Sequence, residues 1–390
     1  MVNRLLTPKQ RMLDAYSGVI HERPPVAPEF WLYYPARFYH TDLITFEREI
    51  PFHLALKDVF SYYGCEGWGA YFFDLENPDG SATKLARWVD DETLEERQTI
   101  KYGGREFHQA IRYSKSNPSW LIEAPVKDVA NDLLPWMDYM LGKAPETLNT
   151  VNAAKAFHEV GESYLLEAWL GVPFFDFYAN NRHGTFEAAI YDFFDPELES
   201  TLIQLRERYE RHLTDLIHHV ALTCDFESFV IGCSYSCSSM LGTPLWQKWD
   251  KPLLKNIVKE IHAQGKLVHM HFHGKSMDVL EDLVDIGVDC VCPFEQPPGG
   301  DVNGLEGLKD VMKRLDGKIT FNGNVHTVET LIRADEAKVR EDVRGIIHAA
   351  METGTCNRLI IGSGDQIGQE TPDENIIAMI EEGSKPWMKK

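Results

Sequence analysis

The chain is poor in positive charge: 39 Lys and Arg stand against 60 Asp and Glu, a formal net charge of −21. A surface of that sign repels phosphate backbones and anionic lipid headgroups, so neither nucleic acid nor a membrane is expected as a partner. Long apolar runs are also missing. None reaches the roughly 18 to 20 residues that a membrane span needs. Residues 1 to 20 are interrupted by Arg4, Lys9, Arg11 and Asp14, which leaves no signal-peptide core and points to the cytoplasm. The seven cysteines are odd in number and include no Cys-x-x-Cys pair, so neither a disulfide scaffold nor a structural zinc knuckle is indicated. Cys233-x-x-x-Cys237 and Cys290-x-Cys292 read instead as reduced, buried small hydrophobes. There is no low-complexity tract, no repeat of 20 to 50 residues, and no Gly-x-Gly-x-x-Gly turn after any candidate strand.

What is present is an ordinary globular composition, 44% apolar, 11% aromatic and 25% charged, in 390 residues. Residues 8 to 19 suggest an amphipathic helix, and residues 26 to 34 an apolar-aromatic buried strand behind Pro24-Pro25. From about 226 to the C-terminus short apolar runs alternate with amphipathic helices. The strands are expected at 228–232, 266–271, 288–292, 319–321 and 358–361. The helices are expected at 253–263, 277–286, 305–315, 336–353 and 373–382, with Gly265, Gly287 and Gly354 closing three of them. About four successive strand-helix units favour a (β/α)8 TIM-type barrel over an open doubly wound sheet. The expected organisation is one barrel domain spanning 1–390, with an N-terminal helical extension at 1–24, irregular or helical insertions at 85–215, and the clearest β-α units at 226–390.

His269, His271 and His273 alternate along one predicted strand, so their side chains share a face; in a barrel that face is the interior, and its C-terminal end is the catalytic mouth. Three buried imidazoles need either a metal or a dense hydrogen-bond network, since each unpaired polar atom costs about 1 to 3 kcal/mol. The next strand ends at Glu295, so His271, His273 and Glu295 are a candidate metal set of the kind open zinc centres use, with a solvated loop carboxylate as the alternative for Glu295. Two further strand ends carry Asn324, a candidate donor to a substrate oxygen, and Asp365, a candidate base or additional ligand. Gly362-Ser363-Gly364 also reads as a plain turn. The aromatic residues Trp31, Tyr33, Tyr34 and Phe38 are candidates for holding a planar substrate, with Trp68, Tyr71 and Phe72 at the same mouth; packing is the alternative for each.

His271-Phe272-His273-Gly274, Ile286-Gly287-Val288-Asp289, Phe321-Asn322-Gly323-Asn324 and Thr371-Pro372-Asp373-Glu374-Asn375 resemble the C-terminal half of the uroporphyrinogen decarboxylase superfamily. Arg11-Met12-Leu13 and Arg23-Pro24-Pro25-Val26 extend the likeness to the N-terminus, while residues 85–215 match weakly. The resemblance implies a TIM-type barrel, and the superfamily holds porphyrinogen decarboxylases and zinc methyltransferases that work with corrinoid proteins. Methyltransferase members show His-x-Cys-Gly where this chain has His271 and His273, and their last cysteine ligand falls near Asp365. In the related cobalamin-independent methionine synthase pattern a glutamate ligand falls at the spacing of Glu295. Imidazole and carboxylate in place of thiolate make a harder metal site, better suited to polarising an ether oxygen than to activating a thiol.

The resemblance therefore implies zinc, a methoxylated aromatic substrate, and cobalamin carried by a corrinoid partner as methyl acceptor. The alternatives are a decarboxylase, for which the Arg-rich N-terminal motif is missing and Arg37 stands alone, or a methylcobalamin:thiol or folate methyltransferase. A homodimer is the family-level expectation.

Overall fold

The computed structural model describes residues 6–386; Met1 to Leu5, which open the segment read above for a signal peptide, lie outside the described residues. Eight strands form one parallel sheet: β1 (Val26–Ala27), β2 (Trp68–Tyr71), β7 (Leu165–Gly171), β8 (Ser228–Cys233), β9 (Leu267–Phe272), β10 (Cys290–Cys292), β11 (Thr320–Val325) and β12 (Leu359–Ser363). Their order is β1-β12-β11-β10-β9-β8-β7-β2, with helices on the crossovers. This is the strand sequence of a β/α barrel, but the backbone ladder is open between β1 and β2.

The reason lies in the prolines. Pro24, Pro25 and Pro28 flank β1 and carry no N–H, so the strand is cut to two residues, and the 26–34 run expected as one long strand instead turns into the helix Tyr33–Phe38. Side chains bridge the open seam. Glu66, 3% exposed and just before β2, accepts from Val26 N at 2.9 Å and from both terminal nitrogens of Arg23 at 2.6 and 3.1 Å. The rings of Trp31 and Trp68 meet at 5.7 Å.

The concave face of the sheet has its own packed core. Ala27, Trp68, Ala70, Leu165, Val230, Cys290, Cys292 and Ile360 form a cluster with Met12, Ala15 and Tyr16 of the helix Pro8–Tyr16, separate from the larger core between sheet and outer helices. That N-terminal helix plugs the N-terminal end of the strands: Thr320 Oγ1 donates to the Ala15 carbonyl at 2.6 Å, Arg358 to that of Tyr16. With the floor sealed, only the C-terminal ends of the strands open to solvent.

The 85–215 stretch expected as irregular or helical insertions is helical over much of residues 129–215, around the barrel strand β7, but its first part belongs to a four-stranded antiparallel sheet, β3 (Ser81–Trp88), β4 (Thr93–Tyr102), β5 (Arg105–Ser114) and β6 (Trp120–Glu123), in sequential order. It packs on the helix Val129–Leu141, where Phe107 meets Trp136 at 5.2 Å. Among the described residues no helix is long and apolar enough to cross a membrane.

Candidate metal and substrate site

His271, His273, Glu295, Asn324 and Asp365 sit at or just past the C-terminal ends of parallel strands. On β9, period-two alternation stacks His269 below His271, with His273 one step beyond the strand. His269 is fully buried and fully partnered: Nδ1 lies 2.9 Å from Glu167 Oε2 and Nε2 lies 2.9 Å from Cys292 Sγ, while Ser228 Oγ donates to the other Glu167 oxygen at 2.6 Å. The deepest imidazole is thus a satisfied core histidine. His271 continues the chain, with Nδ1 3.2 Å from Cys292 Sγ and Nε2 2.9 Å from His273 Nε2.

Two imidazole nitrogens facing each other at that distance are either a neutral donor-acceptor pair or two lone pairs pointed at one cation. Burial, then the neighbouring His273 and His269, push the His271 pKa well below its ordinary value, so the ring is neutral and free to ligate. For His273 burial acts downward, yet the hydrogen bond to Glu295 and the charges of Asp365, Glu295 and Asp176 together hold its pKa above the ordinary value.

The carboxylates separate into two roles. Asp365, on the loop after β12, offers an oxygen that lies within 4.8 Å of a nitrogen of His271 and one of His273, all three mutually. Glu295, expected as a third ligand, is placed elsewhere: its Oε1 is 2.7 Å from His273 Nδ1, the nitrogen facing away from His271. A carboxylate on the outer nitrogen fixes tautomer and ring orientation rather than joining the donor set. The chain leaves β10 at Cys292 through Pro293 and Phe294, which carries Glu295 past His273.

Glu29, two residues beyond β1, is 7% exposed and reaches His271 Nε2 at 3.9 Å; with Cys292 it forms a second group around His271. Burial raises the Glu29 pKa well above the carboxylate range, and the nearby charges of Asp365 and Glu295 raise it further. Burial likewise raises Asp365, His273 pulling the other way. Burial and crowding make these carboxyl groups costly to ionise, and a divalent cation beside them would balance the charge of their ionised forms. Two imidazole nitrogens and one carboxylate oxygen, with an open fourth side, are the donor set of catalytic zinc centres, so the residues present fit that ion.

Above these groups lies a cavity of about 200 Å³ walled by Trp31, Trp68 and Trp169, with His271, His273 and Asp365 at its base. Gly232 is required here, because a Cβ on it would stand 2.4 Å from the Trp169 ring. Of the four aromatic residues singled out for substrate, Trp31 lines the cavity. Tyr34 is buried and hydrogen-bonds Tyr63 and Asp373, Phe38 packs on Tyr39 and Tyr62, and Tyr33 is outside the lining, because the helix Tyr33–Phe38 turns them away.

Asn324 is 3% exposed and borders a neighbouring cavity of about 190 Å³ with Gln296 and His326; its Nδ2 donates to the Phe294 carbonyl and its Oδ1 has no hydrogen-bond partner. Glu29, Trp169 and Gln366 were not anticipated. Each lies at a strand end, a signal that was readable only once the strands were bounded.

A parallel β/α array that gathers histidines and carboxylates at its strand C-termini defines a barrel-type α/β protein with its reactive groups in the mouth. The family model Uroporphyrinogen decarboxylase (URO-D) matches residues 216–385, which carry β8 to β12 and the histidine segment. Over that segment the chain is similar to the uroporphyrinogen decarboxylase family. Two uroporphyrinogen decarboxylases, from Cupriavidus necator and Cupriavidus metallidurans, are each 30% identical to it over 106 residues, 26% of this chain. That match spans 25% of the length of each relative. A methyltransferase from Methanosarcina mazei has a similar fold, with a TM-score of 0.66 at 13% identity over 98% of this chain and 100% of that one.

Proposed function

We propose that the protein is a zinc-dependent methyltransferase that removes the methyl group of a methoxylated aromatic compound and delivers it to the cobalamin of a corrinoid partner protein. The observation that carries this reading is the facing pair of His271 and His273 nitrogens, with Asp365 in the same group, under a cavity walled by three indoles. A decarboxylase acting on a polycarboxylate would need cationic anchors, and among the described residues lining the cavity there is no Lys or Arg. The methyltransferase fold neighbour from Methanosarcina mazei is consistent with the reading.

His271, His273 and Asp365 would hold the zinc, which when bound supplies Lewis acidity toward an ether oxygen. Trp31, Trp68 and Trp169 clasp the flat ring and exclude water from the methyl group. Glu295 locks the His273 ring through Nδ1. In the proposed reaction the CH3–O bond would break with its electron pair left on oxygen, and the corrinoid partner would supply the nucleophile that takes up the methyl group. The Glu29 carboxyl, whose pKa is raised by burial and by its acidic neighbours, would serve as the proton donor to the departing phenolate oxygen.

The test uses the zinc-loaded protein, a reduced corrinoid protein and a series of methoxylated benzenes, with the cobalt spectrum followed for methylcobalamin. The expected result is one phenol released per methylcobalamin formed, abolished by His271→Ala. Release of carbon dioxide from a porphyrinogen by the same preparation, with no methyl transfer from any methoxyarene, would overturn the proposal.

A further inference from the structure

Trp169 is a wall of two cavities. Besides the one over His271 and His273, the Trp169 residue also borders a second cavity of about 240 Å³. The segment after β2, the end of the helix Val129–Leu141, the end of β7 and the helix Glu199–Thr223 enclose it. Most of its lining is apolar: Phe73, Leu75, Met140, Phe177, Leu213 and Leu216.

The polar groups that reach it are few and mostly committed. Tyr209 donates its hydroxyl to the Val172 carbonyl at 2.7 Å and stacks its ring on Phe177 at 4.1 Å. His212 is kept in its neutral form by burial and bonds the Leu141 backbone. Lys143 differs. Its ammonium makes no hydrogen bond or ion pair among the described residues; it stands 5.7 Å from the centre of the Tyr139 ring, with Asp74 the acid whose charge reaches it. Burial pushes its pKa below the ordinary lysine value, Asp74 opposing. A half-buried cation at the edge of an apolar, ring-lined space has paid desolvation that the Asp74 charge offsets only in part.

We propose that this second cavity binds an aromatic carboxylate, its ring set among Phe73, Phe177 and Leu216 and its carboxylate on Lys143 Nζ. A single cation selects a single carboxylate, and the apolar lining selects an arene over a hydroxy acid. The inference stands on this cavity alone and does not need the metal reading.

Benzoate is the probe and benzyl alcohol, of similar shape without the charge, is its control. Calorimetric titration of the full chain is expected to show saturable one-to-one benzoate binding, with benzyl alcohol weaker. Lys143→Met weakens benzoate by about tenfold or more and leaves benzyl alcohol unchanged, while Lys143→Arg restores benzoate. Leu216→Trp, which fills the space and spares the cation, abolishes both. His271→Ala leaves benzoate binding as it was, so a failure of the metal site and a failure of this one are separable. Benzoate affinity unchanged in Lys143→Met, lost in His271→Ala, or not saturable in the unaltered protein would each overturn the proposal.

Discussion

Replacing Glu295 separates two roles that look alike in the sequence. Its carboxylate touches the histidine cluster through one contact, Oε1 to His273 Nδ1 at 2.7 Å, on the side of the ring away from His271 and Asp365. If it orients the ligand, its removal costs about 10- to 100-fold in metal affinity, or about 1.4 to 2.8 kcal/mol. Glu295→Gln belongs at the lower end, since the amide oxygen still accepts the Nδ1 hydrogen, and Glu295→Ala at the upper end. His273→Ala removes a donor atom itself and has the larger effect. A competition titration of each variant against a zinc chelator gives the three affinities directly. A Glu295→Ala protein as impaired as His273→Ala would refute the reasoning, because Glu295 would then be a ligand. An unchanged affinity would refute it from the other side.

Two predictions concern stability. Glu66 is the acceptor for Val26 N and Arg23 and lies 3.7 Å from Arg11, so Glu66→Ala strands a half-buried guanidinium and a buried backbone N–H at the seam between β1 and β2. A loss of about 3 to 5 kcal/mol in urea unfolding is expected, and a loss under about 1 kcal/mol would show that the seam is held by something else. Asp250 is fully buried and accepts from Phe175 N and Ser236 Oγ; burial pushes its pKa up to about 7, with Asp176 adding to the rise. Because the folded protein binds this proton more tightly than the unfolded chain, the contribution to stability is full below the ordinary aspartate pKa of about 4 and is lost as pH rises through 7. Asp250→Asn should flatten the decline in Tm between about pH 5 and pH 8, and an unaltered slope in the variant would contradict that assignment.

The parts of the fold that could be read from the sequence are those where local and global signals agree. The helix Glu336–Thr353 matches its expected bounds because Asp335 caps it through the Lys338 N–H and Gly354 ends it at φ 75°. The β9 histidines were legible because alternation survives in a strand buried on both faces. The β3–β6 sheet was not, since β3 is exposed along its whole length and offers no apolar period to detect. Chain direction misled at β1, where an aromatic run that suits a strand is redirected by Pro28 and becomes helical at Tyr33. Glu29 and Trp169 were hidden for the same reason, lying in stretches whose strand ends the sequence did not mark. That Asp365 shares a group with both imidazoles while Glu295 meets the outer nitrogen of His273 depends on how two loops cross the mouth, which spacing alone does not contain.

The account rests on a single ion held by two imidazoles and a carboxylate, and X-ray absorption at the zinc edge tests that most directly. The predicted spectrum of the zinc-loaded protein is a shell of nitrogen and oxygen only, at about 2.0 to 2.1 Å, carrying the outer-ring scattering of two histidines, one of which vanishes in His273→Ala. A sulfur shell at about 2.3 Å, which would bring Cys292 into the coordination sphere, or a spectrum indifferent to His273→Ala, would contradict it.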